Sequence, residues 1–371
     1  MDAEEILRLK VRLLTEGASL PEQQFRGRKG GAGPVGGMYF YLPNGNVCGI
    51  PIRYGHFIEK YNSAPLQQTN NPDVWIYDSS VELKIVPKPK FYDLKTQDGI
   101  PYSKIALLHG SRTLATTVFQ GCKYWKNNTH CKFCTIPHSY TSGNTILEKT
   151  PEQIVEVIQA AKSEGVIDNV LLTTGTIESP DMGCAALIRI VKAIRESSDI
   201  PVGVQFEPPI DTSIIRELAE AGASAVGMHL ESAEESVREE MCPGKHQYGS
   251  IEFYKERLRY ARNYFEWGHV SSYILHGLGE NLDKTLALAE DLASIGILPI
   301  VAPVRPAIGS KLADYAPTYV ENLDSSVEFY KKIGLILLRN KINPEKTIAG
   351  CHKCGACTPE QEAYDWAATA Y

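Results

Sequence analysis

The sequence lacks long apolar runs, a surplus of positive charge and any sign of a leader segment. Its 371 residues include 38 Lys and Arg against 44 Asp and Glu, which gives a formal net charge of −6. No apolar run approaches the roughly 20 residues of a membrane-spanning helix, and no basic stripe points to nucleic acid. Residues 1–7 have neither the charge nor the hydrophobic block of a signal peptide. We therefore expect a cytoplasmic protein with neither a membrane nor a nucleic-acid partner.

Cysteine, by contrast, is clustered. Six of the nine cysteines form two short groups, Cys122 with Cys131 and Cys134, and Cys351 with Cys354 and Cys357. Disulfides are rare in the reducing cytoplasm, so clustering there favours metal binding. Each group is therefore a candidate metal site.

The first group lies in a loop between a predicted strand and a predicted helix start at Thr150. Full ligation of a [4Fe–4S] cluster takes four cysteines, so three thiolates leave one iron open to bind and reduce another molecule. Zinc is the alternative, but it usually takes four Cys or His ligands, and the candidates for the fourth are His130 and His138. Inert thiols are the third interpretation. The loop favours iron–sulfur chemistry.

Between residues 114 and 312, short apolar runs alternate with amphipathic helical segments. The predicted strands are 114–119, 169–174, 201–206, 225–230, 270–276 and 299–304. Two capping boxes, Thr150 with Gln153 and Ser232 with Glu235, predict helix starts. Six successive β–α units predict a parallel sheet, either doubly wound or a partial barrel. No Gly-x-Gly-x-x-Gly turn follows the first strand, which counts against a dinucleotide-type sheet.

Polar residues and glycines follow the later strands. They are Thr173, Thr174 and Gly175, then Gln205 and Glu207, then His229 and Glu231, then segment 276–280, and finally Arg305. Any one of these residues alone is most simply part of a solvated loop or a helix cap. In a barrel-like fold the chemistry lies at the carboxyl ends of the strands. Together with the cysteine loop, these residues therefore indicate one site at that end.

This arrangement resembles the radical S-adenosylmethionine (SAM) superfamily, whose partial (β/α)6 barrel carries a cluster loop after the first strand. Phe133, just before the last cysteine, also fits that loop, whereas the eight residues between Cys122 and Cys131 exceed the usual three. The resemblance covers roughly residues 112–315. It implies an α/β, TIM-like partial barrel over residues 113–315 and a [4Fe–4S] cluster on the first cysteine group. It also implies that SAM binds the open iron and yields a 5′-deoxyadenosyl radical that abstracts hydrogen from the substrate.

The resemblance further implies contacts with SAM. The expected residues are Thr173, Thr174, Gly175, Gln205, Glu207, Glu231, Gly277 and Gly279. The first three replace a Gly-Gly-Glu motif that meets the methionine amino group, although the glutamate is missing here. Gln205 and Glu207 match strand-end residues near the ribose, and the two later glycines match a segment along the adenine.

Several shorter segments resemble an uncharacterised radical SAM subfamily, some members of which are encoded in nitrilase-containing gene clusters. They are residues 30–34, 91–93, 98–101, 241–245 and the C-terminal Cys-x-x-Cys-x-x-Cys of residues 351–357. This likeness spans most of the chain but does not identify a substrate.

Residues 1–112 do not follow the strand–helix pattern and predict an N-terminal α+β extension. Residues 4–14 predict an amphipathic helix, and Asn44-Gly45 predicts the turn of a hairpin. Segment 26–33 combines three cations with four glycines. That composition suits either an anion-binding loop or a flexible surface loop.

Residues 316–371 predict a helix followed by the second cysteine group. Three cysteines at i, i+3 and i+6 suit an auxiliary [4Fe–4S] cluster better than zinc, which needs a fourth ligand nearby. Cys48, Cys184 and Cys242 are distant candidates for a fourth ligand, although Cys184 lies in an apolar segment and is more simply a core residue.

Radical SAM enzymes use a second cluster either to donate sulfur or to bind substrate and shuttle electrons. A cluster with three cysteines suits the sacrificial donor, so the resemblance implies sulfur insertion into an unactivated C–H bond, as in a two-subunit lipoyl synthase. The implied partners are a small-molecule or carrier-protein-bound substrate, a second radical SAM subunit, and a reducing ferredoxin or flavodoxin. Radical oxidation or rearrangement of a small metabolite is the alternative reaction. An iron–sulfur or zinc scaffold is the non-enzymatic alternative.

Overall fold

The computed structural model describes residues 1–20 and 36–370. Segments 26–33 and 30–34, the proposed anion loop and subfamily motif, lie outside the described residues. In chain order the strands are β1 (Ala18–Ser19), β2 (Gly37–Tyr41), β3 (Val47–Arg53), β4 (Ala64–Gln68), β5 (Val74–Tyr77), β6 (Val81–Ile85), β7 (Leu107–His109), β8 (Thr113–Thr117), β9 (Asn169–Thr173), β10 (Val202–Gln205), β11 (Ala225–Gly227), β12 (Val270–His276) and β13 (Ile297–Pro303).

The helices begin with α1 near the N-terminus and end with α15 near the C-terminus. They are α1 (Ala3–Thr15), α2 (His56–Lys60), α3 (Tyr102–Ile105), α4 (Lys123–Lys126), α5 (Ile136–Thr141), α6 (Pro151–Glu164), α7 (Cys184–Ser197), α8 (Ser213–Glu220), α9 (Glu235–Met241), α10 (Pro243–Tyr248), α11 (Ile251–Ala261), α12 (Leu282–Ser294), α13 (Leu323–Arg339), α14 (Cys351–Cys354) and α15 (Glu360–Ala370). None of the helices in the described residues is both long and apolar enough to cross a membrane.

Strands β7 to β13 form one sheet in the order β13-β12-β11-β10-β9-β8-β7. Neighbours from β8 to β13 pair in parallel, as helical crossovers require. The residues of β8 and β13 are all buried, as in sheets covered on both faces. The α/β, TIM-like half-barrel predicted from the strand–helix alternation is confirmed, and each of its six parallel strands starts within two residues of the prediction.

Two details of the half-barrel differ from the sequence analysis. Strand β7 pairs antiparallel with β8, so the sheet begins before residue 113, where the sequence places the domain boundary. The capping box of Thr150 and Gln153 is confirmed, but the one of Ser232 and Glu235 is wrong. Helix α9 starts only at Glu235, because the Ser232 hydroxyl accepts from the Glu234 amide at 3.2 Å and closes a turn before the helix.

The N-terminal region contains a second, smaller barrel. Strands β1 to β6 close in the order β1-β3-β2-β6-β5-β4, and the predicted hairpin joins β2 to β3 through a turn with Gly45 at φ 89°. Its core includes Leu13 of α1 together with Phe40, Trp75 and Tyr77. The sequence predicts the helix and the hairpin but not the closure of the barrel.

The C-terminal region packs against elements of both barrels. Helix α13 packs against α15, and α15 also packs against α1. Between α13 and α15, the chain carries the second cysteine group past Gly203 of β10. A Cβ atom on Gly203 would lie 3.0 Å from the Gly350 backbone, so the absence of a side chain lets the two backbones approach. The C-terminal segment is thereby seated against the sheet of the half-barrel.

Candidate functional site

The first cysteine group lies on the loop that follows β8. Backbone hydrogen bonds hold this loop to the next strand connection, from the Gly175 amide to the Phe119 carbonyl at 2.9 Å and from the Lys123 amide to the Thr176 carbonyl at 2.8 Å. A Cβ atom on Gly175 would lie 1.7 Å from the Gly121 carbonyl oxygen. Only glycine fits there, so Gly175, predicted to approach a ligand, packs directly against the cysteine loop.

The other end of the loop is held by the connection between α9 and α10. The Lys132 amide donates to the Met241 carbonyl, and the Gly244 amide donates to the Thr129 carbonyl, both at 2.8 Å. This places Cys242 beside Cys131. The subfamily segment 241–245 therefore belongs to the wall of the cysteine loop, which its position in the sequence does not reveal.

The three thiols of this group lie close enough to influence one another. Burial raises the pKa of Cys122, and the Cys131 thiol adds to that shift. Burial also raises the pKa of Cys134 to about 12, again with a contribution from Cys131. Hydrogen bonding to Cys242, together with burial, raises the pKa of Cys131. The thiols are therefore protonated without metal, and a bound metal would have to displace these protons.

The surroundings of these thiols suit an iron–sulfur cluster. Cys131 and Cys134 pack in an apolar cluster with Leu278, Val304 and Tyr319, and the Trp125 Nε1 atom donates to the Cys134 sulfur at 3.4 Å. In the described part of the chain, no three His, Cys, Asp or Glu side chains are arranged to hold a single metal ion. A [4Fe–4S] cluster requires a different arrangement, because each thiolate binds its own iron. Soft thiols in an apolar, hydrogen-bonding shell fit that group.

The histidines considered as zinc ligands have other partners. His130 stacks on Trp125 with a ring-centroid distance of 3.7 Å, and burial lowers the pKa of His130. His138 meets the edge of the same Trp125 ring at 5.7 Å. Both rings therefore help to frame the loop around Trp125.

Beside the cysteine loop lies a buried ammonium group between two carboxylates. The Lys245 Nζ atom is 2.6 Å from Glu231 and 3.6 Å from Glu207. Burial lowers the pKa of Lys245, but the two carboxylates outweigh this and hold it well above its ordinary value. The sequence singles out both glutamates but names Lys245 only within a subfamily segment. The signal that could have identified it is a lysine 14 positions after Glu231, in the segment that follows the fourth strand.

Glu207 is the most heavily bonded member of this group. It accepts hydrogen bonds from the hydroxyls of Tyr124, at 3.3 Å, and Tyr254. Glu231 adopts a left-handed backbone with φ 68°, which is uncommon for a non-glycine residue. Such local strain is often retained at functional sites. Two carboxylates around one ammonium leave a net negative charge facing the cysteine loop.

The other predicted cofactor contacts are arranged around the same strand ends. The Thr173 hydroxyl pairs with that of Thr117 at 2.9 Å, and the Thr174 hydroxyl donates to the Gly175 carbonyl at 2.9 Å. Gly277 and Gly279 have φ of 102° and 89° in the turn after β12. The Glu280 carboxylate holds that turn by accepting from the Gly277 and Leu278 amides at 2.8 and 2.7 Å.

Gln205 belongs to the second cysteine group instead. Its Nε2 atom donates to the Cys351 sulfur at 3.0 Å, and Cys351 also packs on Ala115 and Leu171 of the half-barrel sheet. Burial raises the pKa of Cys351 to about 11. Cys351 thus packs on the face of β8 and β9 that is opposite the helix-covered core, which is the inner face of the half-barrel. The first cysteine loop follows β8.

Tyr273 lies near all three cysteines of the second group. Strand β12 alternates buried and half-buried residues, and Tyr273 is on its half-buried face. Burial raises the pKa of Tyr273, and the nearby thiols Cys351, Cys357 and Cys354 raise it further. All three cysteines therefore lie within electrostatic reach of one phenol. Like the first group, they offer soft donors with polar hydrogen-bonding neighbours, which fits a second iron–sulfur cluster.

Of the candidate fourth ligands, Cys48 is the one that lies near this group. Burial raises the pKa of Cys48 to about 12, with a contribution from Cys357. Cys184 is fully buried in the core of α7, as the sequence suggests, and Cys242 contacts Cys131 of the first group. His352 faces the buried Glu360, 3.3 Å away.

Comparison with known proteins finds a similarity that includes most of the half-barrel. The Radical SAM superfamily profile matches residues 120–292. The chain is 27% identical over 223 residues to a protein named biotin synthase from Syntrophotalea carbinolica; this match covers 60% of the chain and only 63% of that relative. It is 22% identical to a bacteriochlorophyllide c C-7(1)-hydroxylase from Chlorobaculum limnaeum, covering 95% of the chain and 89% of the relative. Among solved structures, methylornithine synthase superposes with a TM-score of 0.47 at 18% identity, covering 67% of this chain and 70% of that one.

Proposed function

We propose that this chain, whose residues 120–292 match the Radical SAM superfamily, is a radical SAM enzyme that inserts sulfur into an unactivated C–H bond, as lipoyl synthases do. The observation that carries the proposal is the position of Cys351, Cys354 and Cys357 against the inner face of the half-barrel, around Tyr273. A sulfur donor must reach the carbon from which hydrogen has been removed. A second thiol group inside the same half-barrel meets that requirement.

The residues Cys122, Cys131 and Cys134 would hold the first [4Fe–4S] cluster. When bound, that cluster supplies the electron for reductive cleavage of SAM. The chain's own residues bind and orient SAM. The excess negative charge of Glu207 and Glu231 over Lys245 suits the positively charged methionine end of SAM, and their carboxylates suit hydroxyl donors of the ribose. The apolar cluster around Cys131 excludes water from the same region.

The residues Cys351, Cys354 and Cys357 would hold the auxiliary cluster. The Gln205 amide and the Tyr273 hydroxyl orient Cys351 by hydrogen bonds to its sulfur. Three cysteines make a cluster that is easier to dismantle than one with four, and this favours the sacrificial role. The similarity to biotin synthase over 60% of the chain also supports sulfur chemistry.

The wider reaction would then resemble that of a two-subunit lipoyl synthase. The substrate would be a small molecule or an acyl group on a carrier protein, a second radical SAM subunit would share the insertions, and a ferredoxin or flavodoxin would supply electrons. The protein would act in the cytoplasm. These assignments depend on the sulfur-insertion proposal and stand or fall with it.

Radical oxidation of a small metabolite is the second candidate. It is favoured by the similarity to a bacteriochlorophyllide c hydroxylase, which extends over 95% of this chain. In that case the second group would bind substrate or pass electrons and would survive turnover. The two candidates therefore differ in the fate of the second cluster.

The test uses the full chain reconstituted anaerobically with iron and isotopically labelled sulfide. Wild type should bind about eight irons, four per cubane. Cys354→Ala should lose about half of the iron and still cleave SAM, but it should form no carbon–sulfur bond. Cys184→Ala, which changes a thiol buried in the core of α7, is the matched control and should retain both clusters.

With an octanoylated carrier domain as substrate, labelled sulfur should appear in the product, and turnover should stop near one per chain. Unlabelled product, or many turnovers with the second cluster intact, would contradict sulfur insertion and favour the oxidative reaction. Zinc in place of iron, or no cleavage of SAM by wild type, would contradict both reactions.

A further inference from the structure

Two arginines from different barrels lie near each other, Arg53 buried and Arg305 half-buried. Arg53 ends β3 of the small barrel, and Arg305 follows β13 of the half-barrel. Arg53 is only 8% exposed. Its Nε and one Nη atom, and one Nη atom of Arg305, are buried without a hydrogen-bond partner. Within residues 1–20 and 36–370, neither guanidinium forms an ion pair with a carboxylate.

No neighbour among the described residues neutralises these two charges. Burial lowers the pKa of Arg53, and the positive charge of Arg305 lowers it further. The nearby phenols are already engaged as donors, Tyr61 to the Tyr315 carbonyl at 3.1 Å and Tyr319 to the Val304 carbonyl. Burial raises the pKa of both phenols, so they stay uncharged near neutral pH.

Stacking on the Tyr61 ring stabilises part of the buried charge of Arg53. Its guanidinium carbon lies 3.9 Å from the centroid of the Tyr61 ring, so the ring covers one face of the group. Stacking leaves the N–H groups at the edge of the guanidinium free. A buried donor without a partner is unfavourable, and a buried unpaired charge more so. A bound anion would accept hydrogen bonds from these N–H groups and so stabilise the arrangement.

Contacts relate the arginines to both cysteine groups. Arg305 directly follows Val304, which packs with Cys131 and Cys134. Arg53 ends β3, in which the Gly49 amide donates to the Ala356 carbonyl beside Cys357 at 2.8 Å. Both influence the pKa of Tyr319, whose ring packs in the apolar cluster with Cys131 and Cys134. Arg305 also influences Cys48, which is in turn influenced by Cys357. A molecule held by the arginine pair would therefore lie near both proposed clusters.

We infer that Arg53 and Arg305 bind an oxyanion of the substrate, a carboxylate or a phosphate, and so anchor the substrate between the two cysteine groups. The inference rests on the proposed radical SAM function for the identity of the ligand as substrate. The planar fork of a guanidinium matches both kinds of oxyanion through paired N–H donors. A neutral hydrocarbon substrate would leave both arginines unsatisfied.

Thermal unfolding of the reconstituted full chain tests the site without any need for turnover. Acetate, inorganic phosphate and chloride are compared at equal ionic strength, so that acetate and phosphate distinguish the two oxyanions. Acetate or phosphate should raise the Tm of wild type by on the order of 2 °C relative to chloride. Arg53→Gln and Arg305→Gln should abolish this rise. Arg112→Gln, which removes an exposed arginine paired with Asp168, should retain it.

If the two arginines only stabilised the fold, their replacement would lower the Tm even in chloride, where no oxyanion is bound. Because neither guanidinium has a carboxylate partner in the described part of the chain, Arg53→Gln and Arg305→Gln should unfold in chloride at a Tm no lower than that of wild type. A lower Tm for both variants, or an equal anion response in all four proteins, would overturn the inference. SAM cleavage is measured on the same samples. Cleavage without an anion response defeats only this inference, whereas an anion response without cleavage defeats only the proposed reaction.

Discussion

The hydrogen-bond partners of a side chain show which of the two cysteine groups it belongs to, as Gln205 and Glu207 illustrate. Glu207 and Gln205 are two positions apart on the same strand end, yet their side chains serve different groups. Glu207 meets Lys245 and two tyrosines near the first cysteine loop, whereas Gln205 donates to Cys351 of the second group. Two residues that are two positions apart in a continuous strand would point to the same face. The division arises because β10 ends at Gln205, so that Glu207 lies beyond the strand.

Substitution of these two residues should therefore give separate defects. Glu207→Gln should weaken SAM binding about tenfold or more, because a charged hydrogen-bonding group is lost, and should leave the iron content unchanged. Gln205→Ala should leave the dissociation constant of SAM unchanged but alter the absorbance of the proposed second cluster, because Cys351 loses a hydrogen-bond donor. Equilibrium binding of SAM and visible spectra of the reconstituted variants measure both effects. An equal loss of SAM affinity in the two variants would contradict the assignment.

Lys149 gives a prediction about pH. It is buried, its Nζ atom donates to the Thr117 carbonyl at 2.6 Å, and burial lowers its pKa to about 7 from an ordinary 10.5. Between these two values the unfolded chain binds a proton that the folded chain does not. Stability should therefore rise with pH across this window, by at most about 1.4 kcal/mol per pH unit from this residue.

The measurement compares wild type with Lys149→Met. Free energies of unfolding from denaturant titrations at pH 7.5, 8.25 and 9 should show a steeper increase with pH in wild type than in the variant. Lys192→Met, another lysine substitution, serves as a control and should keep the wild-type slope. Parallel slopes in all three proteins would show that Lys149 keeps its proton in the folded state.

At the scale of elements, the cysteine loop depends on its neighbours as much as on its own sequence. The turn after β9 and the connection between α9 and α10 hold it from two sides through backbone hydrogen bonds. The backbones come closest together at Gly175, where a Cβ atom would overlap the Gly121 carbonyl oxygen. The loop geometry is thus set by segments that follow it by about 50 and 110 residues.

Gly175→Ala should displace the loop. The new methyl group would overlap the Gly121 carbonyl oxygen, 1.7 Å from the position of its Cβ, and overpacking of this kind typically costs about 1–3 kcal/mol. We expect loss of the first cluster, seen as about four irons instead of about eight, together with loss of SAM cleavage. Gly45→Ala, strained by φ 89° but with open space around it, should be destabilised while keeping its iron. Full iron content in Gly175→Ala would show that the contact does not control the loop.

At the scale of the whole molecule, the C-terminal segment joins the two barrels. The Gly49 amide of the small barrel donates to the Ala356 carbonyl at 2.8 Å, while Cys351 packs on the half-barrel sheet. Helix α15 then returns to α1, where Lys10 and Glu362 form a fully buried ion pair at 2.8 Å. The second cysteine group is therefore held in place by elements from both ends of the chain.

This arrangement predicts that the ion pair controls the second cluster. Glu362→Ala leaves Lys10 buried and unpaired, which should destabilise the fold by roughly 3–5 kcal/mol. Because α15 holds the cysteine segment, iron content should fall toward four per chain while SAM cleavage persists. The double variant Lys10→Met with Glu362→Leu removes both charges and should recover most of the stability. If the double variant is no more stable than the single one, the buried charge is not the cause.

The fold and the two cysteine groups were largely accessible from the sequence, but the contacts between distant residues in the site were not. Alternation of apolar runs and helical stripes predicts six strands whose starts the structure confirms, because that periodicity reflects local geometry. Closure of the small barrel was missed, since β1 is only two residues long and pairs with β3 and β4 far along the chain. The role of Lys245 was missed because it bonds carboxylates from two other strand ends.

The sequence by itself determined the strand–helix units and the two cysteine groups, because hydrophobic period and cysteine spacing are local properties of the chain. The tertiary structure alone decided which distant residues meet. Gln205 and Cys351 are 146 positions apart yet share a hydrogen bond, and Arg53 reaches Arg305 from a different barrel. Such pairs are set by how the sheets curl and pack, which depends on the summed burial of the whole chain. No short segment encodes that outcome.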